Sequence, residues 1–271
     1  MLPAPRLLSR LRAGVLCGAV CLLLAGGCAT NGNPRDPLEP MNRAIYTFND
    51  GVDHLLIKPF AEFYRFVIPE FARTGVSNFF SNLNDVIVLL NSLLQGKMTQ
   101  AASDTGRILF NSTAGVLGLF DLATGLGMEK HNEDFGQTLG YWGIGDGPYL
   151  VLPFIGPSSA RDAVGWVGDF YAWPVSYVDD VTTRRVLIGI RIISVRADLL
   201  EASQILETAA LDPYQFVRDA YLQRRRNLVY DGKPPPDEDD LVDEPKRKPA
   251  ADKEAATPAE APAPGPFPGA Q

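Results

Sequence analysis

The stretch PMNRAIYTFNDGVDHLL, residues 40–56, carries the clearest structural signal of this chain. Its apolar residues recur three or four positions apart and so share one helix face: Met41, Ile45, Phe48, Val52, Leu55 and Leu56. Pro40 suits a first helical position, where its missing N–H would have no partner anyway. Asn42, Asn49 and Asp53 mark the polar side. The stretch therefore predicts an amphipathic helix that starts at Pro40.

Helical signals continue on the C-terminal side of this stretch. Gly96 follows an apolar segment, at the position where a left-handed glycine ends many helices. Asp212 and Pro213 are the residue types of an N-cap and a first helical position. Alternating patterns are scarce, and YLVLPF (149–154) is the one segment that favours a strand. Residues 36–230 are therefore predicted to form a single all-α domain of short amphipathic helices.

Two segments are too apolar for an ordinary soluble domain. Residues 108–128 contain one charge, Asp121, and have the length of a spanning helix, but their glycines and polar residues argue against a regular one. They are interpreted as a re-entrant element or as a buried helix–loop–helix. Residues 186–206 have so wide an apolar face that they belong in a large core or against lipid. A narrow polar strip recurs there every seven residues: Arg184, Arg191 and Asp198.

The N-terminus has the pattern of an export signal. Three arginines precede an apolar run, residues 13–25, that is too short to span a membrane. The small residues before Cys28 resemble the bacterial lipobox, although Ala25 replaces the usual leucine. Cleavage there removes Cys17 and Cys21 and leaves Cys28 as the lipidation site. Residues 1–27 are therefore predicted to be a lipoprotein signal peptide and 28–35 a tether; an ordinary signal peptide with an incidental cysteine is the alternative.

The charge distribution excludes one class of partner and predicts the nature of the C-terminus. The formal net charge is −7, whereas nucleic-acid binding would favour a basic surface. Residues 231–271 are acidic and rich in proline and alanine. Such a segment buries too little apolar surface to offset its ordering entropy, so it is predicted to be a disordered tail.

Catalytic and metal-binding patterns are missing from the sequence. The two histidines, His54 and His131, lie far apart, and no zinc spacing can be assembled after cleavage before Cys28. GIGDGPY (143–149) lacks the lysine and hydroxyl residue of a P-loop and is interpreted as a turn-rich hinge. EKHNED (129–134) is interpreted as a solvated loop that enters a helix. No enzyme activity, cofactor or metal is expected, and a lipid or cell-wall hydrolase is the most distant alternative.

Six motifs, in order, resemble the MlaA (VacJ) family of outer-membrane lipoproteins. They are DPLEPMNR (36–43), GVSNFFSNL (75–83), LLQGK (93–97), LFNSTAGVLGLFDLA (109–123), EDFGQTLGYWGIGDGPYLVLPFIGPSSARD (133–162) and DPYQFVRDAYLQRR (212–225). The motif residues expected to be structurally important are Asp36, Pro37, Glu39, Pro40, Asn42, Arg43, Gly136, Gly140, Gly147, Pro148, Asp212 and Pro213. The resemblance covers about 36–230 and not the tail.

This resemblance implies a helical, ring-like structure embedded in the inner half of the outer membrane, anchored through Cys28 and placed beside a trimeric porin. Phospholipids misplaced in the outer leaflet would pass through an amphipathic channel to a periplasmic carrier, MlaC, which would maintain lipid asymmetry. The helix of residues 40–56 would border the channel, with Phe48 and Asn49 as candidates; the alternative is that Phe48 is only a core residue. A non-channel lipoprotein that scaffolds envelope proteins is the alternative function.

Overall fold

The structure, a computed structural model, describes residues 36–235. The α-helices are α1 (Glu39–Val52), α2 (Lys58–Val67), α3 (Glu70–Leu94), α4 (Met98–Thr113), α5 (Leu122–Gly125), α6 (Phe135–Tyr141), α7 (Ala160–Ala172), α8 (Val181–Asp198), α9 (Leu200–Ala209) and α10 (Pro213–Val229). A π-helix (Asp53–Ile57) joins α1 to α2, and a 3₁₀-helix (Pro174–Tyr177) lies between α7 and α8. The strands are β1 (Tyr149–Leu152) and β2 (Gly156–Ser159). The predictions for the signal peptide, Cys28, the tether and residues 236–271 lie outside the described residues.

The all-α prediction is confirmed, with one short hairpin as its exception. The segment that favoured a strand forms β1, which pairs antiparallel with β2 so that Tyr149 faces Ser159 and Leu152 faces Gly156. The hairpin packs against α1 and α10. It thus joins the first and last helices of the described part of the chain.

The predicted helix signals lie at helix ends. Asp212 is the N-cap of α10, and its carboxylate accepts a hydrogen bond from the Gln215 N–H at 3.2 Å. Gly96, with φ of 74°, follows the C-cap of α3, in the left-handed region that glycine adopts without strain. The first helix begins one residue before the predicted Pro40, and the π-helix interrupts it before Leu56. A π-helix inserts an extra residue into the helical turn and shifts the faces that follow.

The most buried residue of α1 is polar, and its apolar stripe is covered only in part, with Ile45 packed against the cluster of Tyr149, Val151 and Tyr214. Asn42 is 0% exposed, whereas Phe48 is 49% exposed and Leu55, in the π-helix, is 79% exposed. The alternative in which Phe48 is only a core residue is therefore wrong. Among residues 36–235, buried polar and charged side chains outnumber buried apolar ones, while large apolar side chains are exposed along most helices.

Residues 108–128 form a helix–loop–helix, but not a buried one. Asp121 caps α5 and accepts two hydrogen bonds from the buried Arg107, at 3.0 and 3.1 Å. Burial alone would raise the Asp121 pKa, but these and neighbouring hydrogen bonds lower it to about 2. The apolar side chains of the loop, such as Leu117 at 68% exposure, point away from this cluster. The segment therefore places its polar groups inside and its apolar groups outside.

Residues 186–206 are two helices rather than one, and only part of their apolar surface is covered. Leu199 separates α8 from α9. The buried residues of α8 are the small Ser194 and Ala197, whereas Val186 is 53% exposed. Leu187 and Ile188 pack against the buried cluster of Ile87, Trp173 and Val175, so the core alternative holds for one side of α8, while the side with Val186 and Ile190 is open. No helix within residues 36–235 is both long enough and apolar enough to cross a membrane.

Candidate functional site

The first and last sequence motifs meet in one buried hydrogen-bond network. Asp36 accepts hydrogen bonds from Asn42 at 2.9 Å and from the Tyr214 hydroxyl at 2.6 Å. The Asn42 side chain also donates to the Tyr149 carbonyl at 2.9 Å and accepts from the Val151 N–H at 2.9 Å. The Asn42 amide thus holds α1 to the hairpin through two hydrogen bonds to β1. Both polar atoms of this buried side chain have partners.

Ion pairs extend this junction towards the surface. Arg43 contacts Glu39 and Asp212, each at 2.7 Å, and its guanidinium lies 4.4 Å from the centre of the Tyr214 ring. The Arg43 hydrogen bond lowers the pKa of the Asp212 carboxyl. Arg218 completes the junction from α10, at 3.4 Å from Asp36. The structure therefore brings together most of the motif residues at 36–43 and 212–213, which the sequence placed at opposite ends.

A second buried network joins α6, α7 and α10 around Arg225. Its guanidinium contacts Asp134 at 3.0 Å and Asp162 at 2.9 Å. Asp162 accepts a hydrogen bond from the Tyr221 hydroxyl at 2.6 Å and forms an ion pair with Arg161 at 3.0 Å. Burial raises the pKa of both carboxyls, but the charge and hydrogen bonds of Arg225 outweigh burial, so that both pKa values are lowered. Both carboxylates are therefore held ionised inside the protein.

The loop at residues 129–134 has one buried carboxylate among exposed neighbours. Glu133 is buried and accepts hydrogen bonds from Gln95 and Lys97, each at 2.8 Å, and from Gln100 at 3.0 Å. His131 lies 2.7 Å from Asp104. EKHNED is thus solvated at Glu129, Lys130 and Asn132, as the sequence predicts, but not at Glu133, and it enters the helix α6 with Asp134 as the N-cap.

Motif glycines allow two helices to approach closely. A Cβ on Gly165 of α7 would lie 2.3 Å from the Gly136 backbone nitrogen, and one on Gly136 would lie 2.6 Å from the Asp162 carboxylate. Gly140 faces Arg161 and Val229 at similarly short distances. These contacts leave no room for a side chain.

The turn before β1 has its own motif residues. Gly147 has φ of 65°, a left-handed conformation that favours glycine. The carbonyl of Pro148 accepts a hydrogen bond from the Ala160 N–H at 3.1 Å, at the start of α7. Pro37 and Pro40 lie on either side of the start of α1 and are not buried.

An amphipathic cavity of about 790 Å³ lies among the π-helix, α3, α7, α8, the loop at residues 132–134 and the hairpin tip. Its apolar lining includes Ile57, Ile87, Phe154, Trp166, Phe170 and Trp173. Its polar lining consists of Asp53, Asn84, Asn132, Glu133, Asp134, Asp169, Arg191 and Arg196. The size is that of a small-molecule site, and the lining suits a ligand that is itself part polar and part apolar.

Some charged groups of the cavity have ion-pair partners, whereas Asp169 and Arg191 have none within residues 36–235. Three of the carboxylates have ion-pair partners: Asp53 with Arg196, Glu133 with Lys97, and Asp134 with Arg225. Asp169 has no ion pair within residues 36–235; it accepts a hydrogen bond from the Phe135 N–H at 3.0 Å, and burial raises its pKa to about 6. Arg191 lies 4.5 Å from the centre of the Trp173 ring, and burial lowers its pKa.

Phe48 and Asn49, the predicted channel-border residues, lie next to this cavity at the hairpin tip. The Asn49 side chain donates to the Leu152 carbonyl at 2.9 Å and accepts from the Phe154 N–H at 2.8 Å. Phe48 meets the Phe154 ring edge-on, with ring centres 5.3 Å apart. Phe154 lines the cavity, whereas Phe48 and Asn49 hold it in place.

Sequence reasoning missed most of the cavity-lining residues. Arg191 was visible only as one member of a polar strip, and Asp169, Trp166 and Trp173 were not singled out. Their spacing in ARDAVGWVGDFYAWP offers one usable signal, since Asp169 and Phe170 follow Trp166 by three and four residues and so share a helix face with it. Within the described part of the chain, no group of His, Cys, Asp or Glu side chains is arranged to hold a metal ion.

Comparisons with known proteins agree with the resemblance seen in the motifs. The family model of the MlaA lipoprotein matches residues 34–228. The intermembrane phospholipid transport system lipoprotein MlaA of Escherichia coli (strain K12) is 36% identical over 245 residues, which cover 84% of this chain and 93% of the relative. The protein of the same name from Haemophilus influenzae is 28% identical over 229 residues, which cover 81% and 91%.

A solved structure gives the same result at the level of the fold. It concerns the structural basis for maintenance of bacterial outer membrane lipid asymmetry, and the chains superpose with a TM-score of 0.63 at 33% identity. The match covers 72% of this chain and 98% of the other. The recognition made from the six motifs is confirmed: the chain belongs to the MlaA lipoprotein family.

Proposed function

We propose that this protein is an outer-membrane lipoprotein that removes mislocalised phospholipids from the outer leaflet. The lipids pass through the amphipathic cavity and are handed to a periplasmic carrier, MlaC, so that outer-membrane lipid asymmetry is maintained. The protein acts as a ring-like, membrane-embedded conduit beside a trimeric porin, without enzymatic chemistry. Cys28 anchors it in the periplasmic leaflet.

The inverted distribution of polar and apolar side chains carries this proposal. Fully burying one large apolar side chain is worth roughly 1.5–3 kcal/mol, so leaving many of them in water would be costly. Hydrocarbon removes that cost. Hydrocarbon offers no hydrogen bonds, so polar groups need hydrogen-bond partners inside the protein. Asn42, Asp162 and Arg225 have such partners. The exposed phenylalanines of α2, at 60, 63 and 66, fit a helix that lies in a lipid interface.

The cavity offers a physical route for a lipid headgroup. A charged headgroup in hydrocarbon is costly because its charges have no partners there. The polar lining from α7 and α8 replaces water around the headgroup, while the aromatic and aliphatic residues accept the acyl chains. Both MlaA relatives are named as lipoproteins of a phospholipid transport system, which supports a conduit rather than an enzyme.

Surface phospholipid is the quantity that tests the function. A strain that lacks this protein is expected to accumulate phospholipid in the outer leaflet, and the intact gene is expected to restore the normal level. Direct lipid analysis of the cell surface measures both. An unchanged surface phospholipid level in the deletion strain would remove the transport proposal and leave the scaffold alternative.

Lipid anchoring and membrane embedding can be tested separately. Cys28→Ser is expected to abolish incorporation of labelled fatty acid, because Cys28 is the proposed acylation site, whereas Cys21→Ser lies in the cleaved signal and should retain the label. A chain that starts at Ala29, exported by an ordinary cleavable signal peptide, is still expected to need detergent for extraction. Free solubility of that chain without detergent would contradict membrane embedding.

Phe48→Ala tests the proposed channel border. Phe48 is half exposed, so we expect a cost of about 1 kcal/mol for the lost aromatic pair rather than the roughly 3–5 kcal/mol of a buried phenylalanine. Protein abundance should stay normal while surface phospholipid changes, because Phe154 loses its support at the cavity. Phe216→Ala, at an exposed position on α10 outside the cavity lining, is the matched control and should leave surface phospholipid unchanged. Reduced abundance with a deletion-like phenotype would contradict the border role.

A further inference from the structure

Arg191 stands apart from the other cations of the cavity. Arg196, which also lines the cavity, contacts Asp53 at 2.8 Å. Arg225 contacts Asp134 and Asp162. The Arg191 side chain has neither an ion pair nor a hydrogen bond within residues 36–235; its guanidinium instead makes a cation–π contact with the face of Trp173. A partly buried guanidinium without a counterion is unfavourable, and here burial is the cause that lowers its pKa.

Trp173 supplies a second observation at the same place. It lines the cavity and is 6% exposed, yet its indole N–H is buried without a hydrogen-bond acceptor. Buried donors are nearly always paired. Arg191 and Trp173 are therefore two stacked side chains, with five guanidinium N–H donors and one buried indole N–H donor, and none of these donors has an acceptor within residues 36–235.

We propose that Arg191, stacked on Trp173, binds the phosphate of a phospholipid headgroup inside the cavity. This inference rests on the proposed function, because it places the headgroup on the lipid path. Phosphate fits the chemistry, since the planar fork of arginine matches two phosphate oxygens at once. The aromatic face keeps the guanidinium in position while the site is empty. The neighbouring apolar side chains of α7 and α8, such as Phe170 and Ile192, accept the acyl chains.

The experiment compares ligands with and without the phosphate. Full-length acylated protein in detergent is titrated with dihexanoyl phosphatidylethanolamine, with dihexanoylglycerol and with inorganic phosphate, and binding is followed by tryptophan fluorescence because Trp166 and Trp173 line the cavity. Arg191→Gln is expected to weaken phosphatidylethanolamine binding about tenfold, the effect of one charge-assisted contact, without changing dihexanoylglycerol binding. Arg191→Lys keeps the charge and loses the fork, so its affinity should lie between those of the wild type and Arg191→Gln.

Arg185→Gln is the matched control. Arg185 lies on the same helix and is exposed, and its replacement removes the same charge. It should leave both lipid affinities unchanged. Equal weakening of both lipids by Arg191→Gln, or equal effects of the two glutamine variants, would overturn the phosphate assignment. Inorganic phosphate binding as tight as that of the phospholipid would overturn the headgroup assignment.

The two proposals fail in different ways. A wild-type protein that binds neither lipid would overturn the assignment of this cavity. Failure of the transport function would appear instead as unchanged surface phospholipid in the deletion strain. If Arg191→Gln does not fold, the comparison of Arg191→Lys with the wild type across the same three ligands decides the question.

Discussion

Replacing Arg225 with alanine is expected to remove most of the folded protein. The substitution leaves the buried Asp162 and the partly buried Asp134 without their main cation. Breaking a buried ion pair from one side costs about 3–5 kcal/mol, a large share of the roughly 5–15 kcal/mol that stabilises a typical domain. Thermal unfolding of the detergent-purified protein, together with its abundance in the membrane, measures the effect.

Arg224→Ala provides the matched control for this prediction. Arg224 is the preceding residue on α10, and its side chain is exposed, so its removal should change stability by less than about 0.5 kcal/mol. Similar losses for the two variants would show that the buried carboxylates do not depend on Arg225.

The Arg225 effect should also depend on pH. The folded-state pKa values of Asp134 and Asp162 are lowered, so their contribution is present above the unfolded pKa, about 3.9, and is lost as the pH falls through the folded pKa values. The difference between the wild type and Arg225→Ala is therefore expected to narrow in acid.

Gly165→Ala and Gly189→Ala are expected to change stability in opposite directions. A Cβ on Gly165 would lie 2.3 Å and 2.6 Å from the backbone N and Cα of Gly136, and backbone atoms of a packed helix cannot turn aside. Separating α6 from α7 should cost about 1–3 kcal/mol and disturb the Asp134–Arg225 contact. A Cβ on Gly189 of α8 meets nothing within 4 Å, so alanine there should stabilise the helix by roughly 0.5–1 kcal/mol.

Thermal unfolding of the two glycine variants under one condition distinguishes these effects. Because the chemical change is identical, any difference comes from the space at each site. A stabilised or unchanged Gly165→Ala variant would mean that the two helices are not in contact through these glycines.

Local signals in the sequence determined where helices begin and end. Asp212 caps α10 because its carboxylate reaches the Gln215 N–H of the same helix, and Gly96 follows α3 because the backbone is left-handed there. Both effects act within one turn, so they can be predicted from neighbouring residues alone. The six motifs likewise identified the family, because their order along the chain is specific.

The tertiary structure alone decided which helix faces lie inside. Periodicity predicted an apolar stripe through Phe48 and Leu55. Such a stripe packs equally well against a protein core or against hydrocarbon. In the structure Phe48 and Leu55 are exposed and Asn42 is buried. The partners of the polar residues could not be predicted from the sequence either. Arg43 and Asp212 lie 169 positions apart, and a Cβ on Gly136 is excluded by Asp162 and Arg225, which lie on other helices. A sequence pattern depends only on the residues of one helix or strand. Side-chain burial and the partners of polar groups depend on what that helix or strand contacts and on the solvent around it.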